Sequence, residues 1–172
     1  MKKMIQSAFF ITLGLILPFL TGQIPEIGNA LLPMHFPVLI CGYICGWKYG
    51  LIVGLITPLF RCLIFSTPMP SIAICMSFEL ATYGTISGFL YQKLRNSPLK
   101  IYISLFVSML IGRLVWGAAS IIVYGFGSTR FTWQFFLTST LFTALPGIIL
   151  QIVLIPILIL ALEKSGVIET YV

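Results

Sequence analysis

The sequence predicts an all-α integral membrane protein, a six-transmembrane-helix bundle forming a single domain over residues 1–172. Two observations predict it. Of the 172 residues, 59% are hydrophobic and only 8% are charged, with a mean hydropathy of +1.08. A soluble domain carries about 25% charged residues, so a chain this poor in charge cannot cover a water-facing surface, and its solvent is lipid. The apolar residues also fall into six blocks, divided by Gly, Pro and charged breaks.

The first span is predicted over 4–19. Behind Met1-Lys2-Lys3 it superficially resembles a signal peptide, but PFLTGQIPEI (18–27) offers no small-x-small cleavage site, so it is read as a mature helix. A polar loop with Glu26 and Asn29 leads to a short second span, 34–46. The segment Trp47-Lys48-Tyr49-Gly50 reads as a tight turn before the third span, 51–65. Ser66-Thr67-Pro68-Met69-Pro70 breaks the chain before the fourth span, 71–91. The charged stretch QKLRNSPLK precedes the fifth span, 101–124, and GFGSTR precedes the sixth, 132–162. The sixth exceeds the ~20 residues a bilayer needs, so it is expected to tilt, to kink at Pro146 or Pro156, or to project into water.

The charges orient this layout. With the N-terminus inside, Lys2, Lys3, Lys48, Lys93, Arg95, Lys100 and Lys164 are cytoplasmic and only Arg130 is outside. Both termini are then cytoplasmic. The net charge of +6 is explained by that asymmetry rather than by nucleic-acid binding. The four cysteines, Cys41, Cys45, Cys62 and Cys75, lie in apolar segments with His35 as the sole histidine, a poor ligand set, so no metal is expected. No Walker A loop and no nucleophile with a plausible base is present, so no enzyme activity and no cofactor are expected.

Three charges remain inside spans: Arg61, Glu79 and Arg113. Each costs at least ~2.5 kcal/mol at a helix centre, which makes it a functional candidate. At the ~1.5 Å rise per helical residue, Arg61 stands roughly 18 Å above the inner turn and Arg113 roughly 20 Å above Lys100. Glu79 lies roughly 13 Å below the break at Pro70. All three are thus expected at one level, about 10–13 Å below the outer face of a ~30 Å core. Two readings follow. The cluster could simply hold three helices together. But one carboxylate cannot neutralise two guanidinium groups, and the surplus positive charge suits a pocket for an anionic group, which arginine grips bidentately.

The surroundings fit a small-molecule site. Trp116 is one turn from Arg113, and Tyr83 is one turn from Glu79. His35 and Asn29 lie at the outer mouth as further substrate-binding candidates, although a lone His there serves equally as a helix-end partner. Gly42, Gly46, Gly50 and Gly54 recur every four residues, and Gly84 pairs with Gly88, which predicts close helix packing. Ala8 and Thr12 form a small-xxx-small element on the first span.

The segment LLPMHFPVLICGYICGWKYGLIVGLITPLFRCLIF, followed by FELATYGTISGFLY, resembles the substrate-binding S components of energy-coupling factor (ECF) transporters. That resemblance implies a six-helix bundle that captures one vitamin from outside. It also implies docking on a membrane coupling subunit with two cytoplasmic ATPases, and toppling in the bilayer to release cargo. Family members dock through an AxxxA-type element on the first helix. Ala8-xxx-Thr12 is the nearest match here, with Thr in place of the second Ala. LPMHFPV with ELATYG looks most like the pantothenate-type group. A carrier of vitamin B6 forms, in which Glu79 binds a ring hydroxyl or amine, is the alternative in transport. A non-transport membrane scaffold is the alternative from another class.

The orientation is testable by cysteine labelling. In a variant lacking the four native cysteines, a cysteine added at position 2 should resist an impermeant reagent in intact cells and react after permeabilisation. Labelling from outside would invert the layout.

Overall fold

The computed structural model describes residues 1–20, 30–94, 97, 99–125 and 144–166. They form six helices: α1 Lys2–Leu20, α2 His35–Cys45, α3 Trp47–Phe65, α4 Pro70–Lys93, α5 Lys100–Gly125 and α6 Leu145–Lys164. Five are long and apolar enough to cross a membrane, and α2, with 11 residues, is the short one. At ~1.5 Å per residue α2 rises about 16 Å, the shortest rise in the bundle.

The main difference from the sequence reading is at Trp47–Gly50. That segment is not a turn but the first turn of α3. The whole reversal between α2 and α3 is made at Gly46, whose φ of 94° lies in the region that L side chains avoid. One glycine therefore replaces a four-residue loop. Ser66, also at positive φ, ends α3. In the sixth span, residues 132–143 lie outside the described residues, and helix is seen from Leu145.

α4 is the centre of the bundle. More than half of its most apolar window is buried (56%), against 22–33% for the other spans. It packs on α2, α3 and α5, while α1 leans on α2 and α3, and α6 on α2 and α5. Glycine makes this central position possible. Any Cβ at Gly42, Gly50 or Gly54 would run into the α4 backbone at Gly84 or Leu80, and a Cβ at Gly88 would meet Gly42 and Trp47. The four-residue period seen in the sequence is thus one continuous seam that admits α4 between α2 and α3.

The rest of the packing follows membrane rules. Ser7, Thr57, Ser77, Thr82, Thr85 and Ser104 each donate to the carbonyl four residues back, which satisfies their hydroxyls within their own helix. Large apolar side chains such as Phe9, Leu63, Phe106, Leu114 and Val153 face outward, where lipid is their solvent. At the end of the bundle that carries the lysines, Glu163 of α6 meets Lys100 of α5 at 2.8 Å and accepts from the Tyr91 hydroxyl of α4. Lys100 also lies over the Tyr91 ring. This knot ties three helices at their basic ends.

Gly84→Leu should therefore lower thermal stability by at least 1–3 kcal/mol, the usual cost of overpacking, because backbone rather than a flexible side chain blocks the new atoms. Gly125→Ala, which meets nothing within 4 Å, should leave it unchanged. Thermal denaturation of detergent-purified protein checks both, and equal melting points for the two variants would refute the seam.

Candidate functional site

A membrane-buried carboxylate organises the half of the bundle opposite the lysines. Glu79 sits mid-way along α4 and is 1% exposed. Arg113 of α5 brings Nη1 to 3.1 Å from its Oε1. The Tyr83 hydroxyl, one turn along α4, donates to the same oxygen at 3.1 Å. His35, the first residue of α2, places Nε2 at 3.6 Å from it, an ion-pair distance just beyond a hydrogen bond. Three helices thus converge on one oxygen atom.

Local sequence explains why each side chain arrives there. Tyr83 and Glu79 share a helix face through their i,i+4 spacing. The Tyr83 ring fills the space left by Gly112, where a Cβ would collide with it, so Gly112 brings α5 in and presents the neighbouring Arg113 to Glu79. The imidazole of His35 packs on the Tyr83 ring with centroids 5.2 Å apart.

Arg61 does not join this cluster. The glycine seam explains why. Gly50 abuts Gly84 and Gly54 abuts Leu80, so the antiparallel register of α3 on α4 sets Arg61 level with Ala73. That is six residues, or about 9 Å, further along than Glu79. The expectation of one common depth therefore holds for Glu79 and Arg113 and fails for Arg61. Measuring Glu79 from Pro70 assumed that α4 begins at the membrane face, whereas its 24 residues exceed the 19 of α3. The Arg61 guanidinium instead donates to the Leu15 carbonyl at 2.6 Å and lies over the rings of Phe19 and Phe65. A cation near the C-terminal end of α1 also meets the favourable end of its dipole.

The cluster is not closed. Arg113 spends Nη1 on Glu79, but its Nε and Nη2 are buried without a hydrogen-bond partner among the described residues. Both ring nitrogens of His35 and the whole amide of Gln151 are in the same condition. Gln151 and Ser120 are each 0% exposed. Two helix registers place Gln151 at about the level of the cluster. Counting back along α6 from Glu163, which meets Lys100, sets Gln151 level with Gly112 of α5. Counting on from Gly147, where a Cβ would strike Ala30 and Leu31, sets it near the level of His35. Ser120 faces Cys75, one turn from Glu79 on α4. Folded proteins pair nearly all of their buried polar atoms. A group of unsatisfied donors and acceptors in one polar core is chemistry suited to a ligand.

Sequence reasoning missed Gln151 and Ser120 because only charges were sought inside spans. Gln151 was visible as the one amide in LPGIILQIVLIPILILAL, and an intramembrane polar residue is itself a signal. Trp116 is partly buried on α5, one turn beyond Arg113. Asn29 lies outside the described residues. An apolar groove of about 370 Å³, lined by Leu99, Tyr102, Ile103, Phe106 and Ile152, is a separate feature of the α5–α6 wall and offers no charged or amide side chain.

Ala8 and Thr12 lie on the opposite side of α1 from its packed residues Ser7, Phe10, Gly14 and Pro18, and both are exposed. The Thr12 hydroxyl donates to the Ala8 carbonyl at 3.0 Å. The surface therefore presents a methyl group rather than an unmet donor.

Among known proteins, the family model for the ECF transporter, substrate-specific component, matches residues 2–159. No curated protein and no solved structure matches the chain.

Proposed function

This chain belongs to the ECF transporter substrate-specific component family, and from that premise we propose that it captures pantothenate from outside the cell and delivers it to an energising module. Membership makes it a multi-pass protein of the bacterial cell membrane and the substrate-specific subunit of a transporter, in a family of transport subunits rather than enzymes. The identity of the vitamin and the residues that hold it are our reading.

One observation carries that reading: Arg113 is neutralised on one edge by Glu79 and, among the described residues, left unpartnered on the other. The free edge, Nε and Nη2, has the paired geometry that binds a carboxylate. Pantothenate offers a carboxylate, an amide and two hydroxyls. The Gln151 amide complements an amide in both donor and acceptor, while Ser120 and His35 suit hydroxyls. A vitamin B6 form would need Glu79 for its ring hydroxyl or amine, yet Glu79 Oε1 already serves Arg113 and Tyr83. A scaffold protein would gain nothing from buried polar atoms left unmet.

Delivery requires a partner surface. We assign it to the exposed Ala8–Thr12 face of α1, which would meet the membrane coupling subunit of a module driven by two cytoplasmic ATPases. Small residues there let a partner helix approach closely. The polar core lies toward the other end of the bundle, so capture and docking use separate surfaces.

Two measurements test this. Arg113→Ala should weaken pantothenate binding about ten- to a hundredfold, the value of a charge-assisted hydrogen bond of roughly 1.5–3 kcal/mol. Arg113→Lys should recover only part, because a point charge lacks the fork. Arg61→Ala should lower thermal stability and leave the affinity of folded protein largely intact. Calorimetry on purified protein checks all three, and unchanged affinity in Arg113→Ala would return the cluster to a structural role. Second, Ala8→Trp or Thr12→Trp should abolish uptake in cells while sparing pantothenate binding by the isolated subunit. Equal loss of both would show that α1 has been misassigned.

A further inference from the structure

The anionic reading of the cargo has a consequence in charge. Among the described residues, the polar core holds one negative group, Glu79, and one positive group, Arg113, at 3.1 Å. The pair is neutral. A carboxylate docked on the free edge of Arg113 brings a second negative charge into a region of low dielectric, where an uncompensated ion is costly. Arg61 cannot cancel it, being held on the Leu15 carbonyl between Phe19 and Phe65.

His35 can. Its imidazole is 1% exposed, and neither nitrogen has a hydrogen-bond partner among the described residues. Nε2 already lies 3.6 Å from Glu79 Oε1, so an imidazolium formed there acquires a carboxylate partner without rearrangement. Among the described residues, the titratable groups facing His35 are Glu79 and Tyr83 of α4, with Arg113 of α5 behind the carboxylate. From α6 it faces the level of Gln151, which does not titrate. The charged residues of α1, Lys2 and Lys3, are at the other end of that helix. Protonating Glu79 instead would break its ion pair with Arg113, and Tyr83 already donates its proton to Glu79.

We propose that His35 takes up a proton when an anionic cargo binds, so that the bundle captures the carboxylate and a proton together. The proton comes from solvent and adds to a ring nitrogen lone pair; no covalent bond to the cargo forms. This rests on the anion-binding reading of Arg113. Protons taken up on binding make affinity fall as pH rises.

Calorimetry of the full chain with pantothenate, in buffers of different ionisation enthalpy at one pH, counts the protons directly. Across a series from about pH 6 to about pH 8.5, we expect net proton uptake when pantothenate binds and an affinity that falls as pH rises, by up to about tenfold per pH unit. The alcohol analogue, with CH2OH in place of the carboxylate, should bind without proton uptake. His35→Gln should abolish the uptake and flatten the pH profile; a purely structural histidine would change only the melting point. If that variant does not fold, the proton count of the unmodified protein still decides. Tight pantothenate binding with no proton exchange across the series overturns this inference alone. Absence of pantothenate binding, or undiminished binding in Arg113→Ala, overturns the substrate or anion reading and this inference with it.

Discussion

A carboxylate cannot remain ionised inside a membrane bundle unless another group neutralises it, and Glu79 sets that condition for the structure around it. Removing one partner of such a pair typically costs about 3–5 kcal/mol. The condition fixes the position of α5, because Arg113 must reach a point 3.1 Å from Oε1. It fixes the Tyr83 rotamer, because the phenol must donate to the same atom. It draws in the first residue of α2, His35. Apolar packing alone specifies none of this, since lipid tails are as apolar as leucine and give helices little reason to prefer one partner face.

Glycine supplies the complementary constraint. Electrostatics selects the faces of α4 and α5, but α4 can be central only because α2 and α3 offer backbone instead of side chains along the seam. Gly112 does the same on the other flank, where the Tyr83 ring occupies the space of a missing Cβ. The small residues therefore do more than tighten the bundle. They set the registers that bring Glu79, Arg113 and Gln151 to one level and leave Arg61 about 9 Å away. A one-residue change of size on this seam acts on the polar core without touching it.

Much of this was legible in the sequence. The spans follow from hydropathy and breakers, the seam from the four-residue glycine period, and the shared depth of Glu79 and Arg113 from helical rise, which left open which arginine pairs with Glu79. What was not legible has physical causes. A depth counted from a helix end carries that helix's unknown protrusion and tilt, and this misplaced Arg61. The Trp47–Gly50 segment looked like a turn because it is polar for this chain and ends in glycine, whereas one residue with positive φ at Gly46 suffices to reverse the chain. Gln151 was overlooked because uncharged polar residues in spans are cheap when their own helix satisfies them, as it does for Ser77 and Thr57. Only the structure distinguishes those from the ones whose hydrogen bonds are unmet.

The two ends of the bundle differ in this respect. At the lysine end Glu163 and Lys100 are paired: Glu163 has Lys100 and Tyr91, and Lys100 has the Tyr91 ring. Such a knot holds α4, α5 and α6 together and has no capacity left for a ligand. At the other end Glu79 is neutralised, yet half of the guanidinium, both imidazole nitrogens and an amide have no hydrogen-bond partner among the described residues. Stability alone would have closed both ends alike, because each unmet buried group costs about 1–3 kcal/mol. A cost carried at one end and avoided at the other is the mark of a site shaped for something that arrives later. The exposed face of α1 completes the division, since Ala8 and Thr12 present small, internally satisfied groups to the bilayer. One surface is polar and unsatisfied, and the other is smooth and apolar. The first suits a small polar cargo, and the second suits another helix.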